Sequence, residues 1–395
     1  MKKLTAVAGV VLGLAGGFGS FVYAQEAKQV PAAIKAVPAP VTQAGVLENY
    51  ANIVYASYDD SLTLAKVLQA KLAAFTANPT EATLADAKAA WLASREPYLQ
   101  TEAYRFYSGP IDDDKGPEGL INAWPLDEAY IDYVKGKPNA GIVNNPKLKI
   151  DAKTLLAANE RGGEANISTG YHAIEFLLWG QDFSKTGPGN RAYTDFVDGS
   201  TKNADRRREY LNVAAALLVE HLTYLRDAWA PNAQNYRATF VADKGGLRKV
   251  LVGAGVLSRA ELAGERMEVA LDSKNQEDEH SCFSDNTHRD AVGDAQGIQN
   301  VWLGSYKRID GTVVSGASLE QLVAQSNPAI AAQMTRDVAS TMEKVQQIKA
   351  PFDQELVNKD GQARIRATVT ALKKQAATLV QAAKVIGISK LNTQG

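Results

Sequence analysis

Residues 169–182 read TGYHAIEFLLWGQD, and this stretch decides the fold class. After Gly170 the side chains Ala173, Ile174, Phe176, Leu177, Leu178 and Trp179 are apolar at every helical phase. A helix that is apolar nearly all round is buried on most sides. Gly180 is suited to stop it. Only His172 and Glu175 interrupt the apolar surface, and an i, i+3 pair shares one helix face. Two readings of the pair stand at this point. Imidazole and carboxylate together are ligands for zinc or iron. Equally, a buried carboxylate needs a partner, and a His–Glu hydrogen bond fills a polar gap in a core.

Outward from this helix, the chain reads as all-α. Helical spacing of apolar residues runs through Val46–Thr76, Glu81–Tyr107 (with Pro97 inside), Arg191–Trp229, Leu247–Lys274, Asp278–Leu303, Leu319–Gln325, Ala329–Ile348 and Gly361–Val385. Residues 108–162 are rich in Gly, Pro, Asp and Asn and read as a long irregular excursion with short helices near 127–134 and 151–159. No alternating strand pattern stands out. The expected organisation is two packed helical bundles, 44–235 and 236–395. Faint echoes (Glu102-x-x-x-Phe106 with Glu279-x-x-x-Phe283) raise the idea of a duplication.

The amino terminus has a different character. Lys2 and Lys3 precede an apolar run from Leu4 to Phe21, and Val22-Tyr23-Ala24 offers small residues for cleavage. Residues 1–24 are expected to be a secretory signal peptide. Residues 25–43 are Pro/Ala-rich and read as a linker. Cys282 is the only cysteine, so no internal disulfide is expected. With 43 basic and 44 acidic residues, net charge −1, the chain has no electrostatic footprint for nucleic acid.

A second cluster carries two of the chain's four histidines. Residues 277–288, EDEHSCFSDNTH, contain Glu277-x-x-His280 and Asp285-x-x-His288, with Ser284 one helical turn from each histidine. Glu-x-x-His on bundle helices is a ligand unit of di-iron carboxylate proteins. A capped helix with a solvated acidic face is the structural alternative. A third cluster, residues 91–106 (WLASREPYLQTEAYRF), sets Arg95, Tyr98, Glu102 and Arg105 on neighbouring turns. The chain has no His-Glu-x-x-His, no phosphate-binding loop and no Gly-x-Ser-x-Gly elbow.

Gly170-Tyr-His172-Ala-Ile-Glu175 resembles the Gly-x-His-x-x-Glu motif of the imelysin family, and Asp278–His288 with Gly297-Ile-Gln-Asn300 resembles its second signature. The 95–106 stretch and Trp124-Pro125 are also similar, and the iron-regulated branch of the family is the nearest in pattern. The resemblance implies two helical bundles with the signature residues meeting between them. It implies export to a bacterial periplasm or outer envelope, a role in iron uptake, and other envelope iron-uptake components as partners. The expected ligand is an iron or zinc ion, or an anionic metal chelate. His172, Glu175, Glu102 and His288 are the expected metal ligands. Arg95, Trp124, His280, Ser284 and Asp285 are expected to border them. The alternative activity is a zinc metallopeptidase in which Glu102 takes the ligand or base role that Glu175 cannot fill twice.

Overall fold

Two long helices open the fold described by the computed structural model, which covers residues 40–395. The expected signal peptide, and all but residues 40–43 of the expected linker, lie outside the described residues. Helix α1 (Gln43–Ala77) and helix α2 (Glu81–Gln100) are joined by a short turn. Thr80 caps α2 reciprocally with Thr83: each side chain takes the other's backbone N–H. The excursion carries three short helices, α3 (Glu118–Ile121), α4 (Glu128–Ile131) and α5 (Ala152–Ala158), as its composition suggests. The motif helix is α6 (Gly170–Trp179), followed by α7 (Ala204–Ala228). Helices α1, α2, α6 and α7 pack on one another.

The second half begins with α8 (Tyr236–Val241) and α9 (Gly246–Val256). The latter continues through a π-helical stretch, Leu257–Glu268, into α10 (Val269–Ser273). Helix α11 (Thr287–Leu303) follows an irregular loop. After it come a hairpin, β1 (Ser305–Lys307) with β2 (Val313–Ser315), and helices α12 (Leu319–Ser326), α13 (Pro328–Val345), α14 (Phe352–Val357) and α15 (Lys359–Val385). Helix α15 packs on α13 and on the π-helical stretch. Helix α11 packs on both α2 and α13, so it touches helices of either half. Residues 40–395 form one compact unit.

The all-α expectation holds, with the hairpin as an addition. Among the described residues no helix is long and apolar enough to cross a membrane. Three boundaries differ from the helical pattern, each for a local reason. Residues 101–104 tighten to a 3₁₀ turn after Gln100. Residues 191–203 are a 3₁₀ turn and bends, because Arg191 and Asp195 reach back to Asp132 and Tyr133 instead of stacking along α7. Residues 279–286 are not helical either: Asp285 has φ +56°. Their backbone serves tertiary bonds, such as Ser281 N–H to Thr287 Oγ1 at 3.0 Å and Ser284 N–H to Glu175 Oε1 at 3.0 Å. Glu277 and His280 therefore do not share a helix face, and neither do Asp285 and His288.

Helix α6 owes its position to Gly170. All ten of its residues are buried, and Gly170 has φ +82° with the Ile121 carbonyl oxygen only 2.4 Å from where a Cβ would sit. Strain and collision act together there. Gly170→Ala is expected to lower unfolding free energy by on the order of 3 kcal/mol in denaturant titrations. Gly187→Ala, at a position with nothing within 4 Å of the added methyl, serves as a control and should leave it unchanged.

Candidate metal centre

His172 and His280 come from the two signature stretches, and their ring centroids lie 4.7 Å apart at 74°. His172 is completely buried on α6. Its Nδ1 shares a 2.8 Å hydrogen bond with Glu175 Oε2. The other Glu175 oxygen accepts from Ser284 twice, from Oγ–H at 2.6 Å and from N–H at 3.0 Å. His280, on the irregular loop, shares a 2.8 Å bond between Nδ1 and Asp290 Oδ2. That oxygen also accepts from Ser281 Oγ–H at 2.6 Å. Trp124 lies edge-on to both imidazoles, 5.0 Å from His172 and 6.4 Å from His280.

Each imidazole is thus oriented through Nδ1 by a buried carboxyl group, the support that metal-bound histidines commonly have. His172 Nε2 is buried and has no hydrogen-bond partner. Burial pushes both rings toward the neutral form: His172 well below its usual value and His280 down to about 4. Burial also pushes Glu175 up to about 8, against the pull of Ser284. Asp290 goes the opposite way. Burial raises it, but Arg95 and the bonds from His280 and Ser281 outweigh that and hold it well below the usual carboxylate range. The buried imidazoles are in the form that binds metal.

A chain of ion pairs continues from Asp290. Arg95 is fully buried. Its Nη2 lies 3.4 Å from Asp290, its Nη1 donates to Asn122 Oδ1 at 2.6 Å, and its guanidinium stacks over Tyr171 at 4.8 Å. Asn122 Nδ2 points to Glu102 Oε1 at 3.4 Å. Glu102 accepts from Arg105 at 2.7 Å and from Arg266 at 2.5 Å. Burial opposes its ionisation, but the two arginines hold it down to about 2. Arg266 also donates to Asp294 at 2.9 Å and to Glu261 at 3.0 Å.

His280 and Trp124 line a cavity of about 440 Å³. Seven carboxylates line it as well (Glu118, Glu160, Glu164, Glu261, Glu265, Glu277 and Asp278), against two arginines, Arg105 and Arg266. Both arginines are already paired with glutamates, so the cavity presents net negative charge. The π-helical stretch supplies Glu261, Glu265 and Arg266 to this wall.

Of the expected residues, the structure gathers His172, Glu175, His280, Ser284 and Trp124 into one cluster and ties Arg95 and Glu102 to it through Asp290 and Asn122. His288 stands apart. Its Nδ1 faces the Asp285 carbonyl oxygen at 3.1 Å, and it makes no hydrogen bond to His172 or Glu175. Asp285 is buried, with Oδ1 unpartnered. Sequence reasoning missed Asp290, Asp294, Asn122 and Arg266. The spacing of Asp290 and Asp294, four apart on the helix after the second signature, was the available signal. Among the described residues no three His, Cys, Asp or Glu side chains are gathered into a ready-made coordination shell.

The family model described as imelysin (peptidase M75) matches residues 54–379. The chain belongs to the imelysin family. An iron-regulated protein A from Synechococcus elongatus is 26% identical over 338 residues, covering 83% of this chain and 82% of its own. A crystal structure from Parabacteroides distasonis, given the name iron-regulated protein A precursor, superposes with a TM-score of 0.69. It covers 88% of this chain and 96% of its own at 18% identity, a likeness of fold. The chain is thus an imelysin-family protein, and its 169–182 and 277–288 stretches come together at the His172–His280 pair.

Proposed function

We propose that this imelysin-family chain is an exported protein that binds a metal cation in the service of iron uptake or homeostasis, between His172 and His280. The observation that carries the reading is the buried, unpartnered Nε2 of His172 beside a second imidazole, each ring held at Nδ1 by a buried carboxyl group. His172 and His280 would hold the metal, with Glu175 and Asp290 orienting them. Paired neutral imidazoles suit iron and zinc alike. Two protein donors leave the other positions to water or to oxygen ligands arriving with the metal. The acidic cavity wall favours a cation over an anionic chelate as the incoming species. Export is supported by the pattern of residues 1–24 and by the word precursor in the name of the Parabacteroides relative. Envelope iron-uptake components are the corresponding partners.

The zinc-peptidase alternative asks Glu102 to take a proton from water. A carboxylate held at about 2 between Arg105 and Arg266 has little proton affinity to offer near neutral pH. Metal binding without turnover is the better fit.

The test is titration of Fe²⁺ and Zn²⁺ into metal-stripped protein. Wild type should bind one of them stoichiometrically. His172→Ala and His280→Ala should each bind about a hundredfold more weakly. His288→Ala, which alters the one expected ligand that stands apart, should bind as wild type does. Equal binding by wild type and both alanine variants would sink the proposal.

A further inference from the structure

His280 is only 4% exposed, and it lines the acidic cavity of about 440 Å³. Its Nδ1 is engaged by Asp290, and its Nε2 makes no hydrogen bond. Trp124 lines the same cavity. His172 does not line it. That ring has no exposure, and its centroid lies 4.7 Å from His280 and 5.0 Å from Trp124. A species approaching His172 from this side meets His280 and Trp124 first.

The carboxylates of the wall fall into two sets. Glu118 and Glu261 are paired, with Arg105 at 3.1 Å and with Arg266 at 2.9 Å. Glu160, Glu164, Glu265, Glu277 and Asp278 pair with no cation among the described residues. These five come from three separate parts of the chain: the turn after α5, the π-helical stretch, and a 3₁₀ turn, Gln276–Asp278. Glu160, Glu164 and Glu265 are exposed. Like charges brought from three segments to one concave wall repel one another, so the fold gains nothing from their meeting. A cleft lined by one sign of charge does something else: it focuses its field, concentrates counter-ions and speeds their association by about 10- to 1000-fold. The cavity also has room for a divalent ion inside its water shell, roughly 180 Å³ for six waters.

Resting on metal binding at the imidazole pair, we propose that this cavity is the entrance by which the hydrated free cation reaches His280 and then His172, and that Glu160, Glu164 and Glu265 steer it in. They act on the rate of arrival. None of them holds the bound ion, which agrees with the absence of any gathered group of three ligand side chains among the described residues. Affinity at the imidazoles and speed of loading are therefore set by different residues.

Stopped-flow mixing of the metal-stripped full chain with Fe²⁺ and, separately, with Zn²⁺, followed through a metallochromic indicator, tests this. At low ionic strength the triple variant Glu160→Gln/Glu164→Gln/Glu265→Gln should associate about tenfold more slowly than wild type, with dissociation within about twofold. The deficit should vanish near 1 M salt, where charges act over only about 3 Å. Glu81→Gln/Glu209→Gln/Glu220→Gln removes the same charge from exposed positions off the cavity and should associate as wild type does. A wild-type rate independent of salt, a cavity variant as fast as wild type, or equal slowing in both triple variants overturns the inference and leaves metal binding standing. Failure of wild type to bind either metal overturns both together, so the two failures are told apart.

Discussion

Arg95→Ala is expected to lower the unfolding free energy by about 3–5 kcal/mol, the range for removing one partner of a buried ion pair. The side chain has no exposure. Its loss leaves Asp290 facing only neutral donors (Ser281, Asn286 and the neutral His280) and leaves Asn122 Oδ1 without its 2.6 Å donor. It also empties the space among Trp91, Tyr98 and Tyr171, over whose rings the guanidinium lies at 5.6, 5.6 and 4.8 Å. Arg95→Lys should recover only part of the loss, since an ammonium cannot reproduce the planar fork or the stacking. Denaturant unfolding of the three proteins measures this. A loss under about 1 kcal/mol would mean that Asp290 does not depend on Arg95 for its charge.

Arg266→Met is the second large effect, and it carries a pH signature. One guanidinium serves three carboxylates, Glu102, Asp294 and Glu261. Burial raises Asp294 well above its usual value despite Arg266, whereas Glu102, with Arg105 as a second partner, is held at about 2. Glu102 therefore contributes stability that is present above its unfolded value of about 4.5 and is lost as pH falls through about 2. Without Arg266 its folded value moves back up, and that contribution shrinks. At pH 7 the variant should lose about 3–5 kcal/mol. At pH 3 the gap to wild type should narrow, because the unfolded chain has by then taken up the proton and much of the wild-type advantage is gone. A gap independent of pH would show that Arg266 acts through packing and not through Glu102.

The legible part of this molecule follows from periodicity. The uniformly apolar α6, its stop at Gly180 and the helical spacing of the long segments declare an all-α fold from the residues alone. The pairing of His172 with Glu175 is legible for the same reason: three residues within one helix define a distance. The second signature is where a helical reading fails. Spacing in 277–288 says nothing about direction once Asp285 adopts φ +56° and the backbone of Ser281 and Ser284 bonds to other elements. His288 looks equivalent to His280 in sequence, yet only His280 reaches His172.

What the chain of residues determined unaided is therefore local: helix class, a buried His–Glu pair, and a family signature written in short-range patterns. Tertiary structure alone decided which histidine becomes the second imidazole, and that Asp290 and Asp294 anchor the two arginines. Those outcomes depend on α11 lying against α2, and on the loop that precedes α11 bonding to Glu175 of α6. Such contacts join residues about a hundred or more positions apart. Their energy depends on burial and on neighbouring charge, and neither exists until the chain has folded.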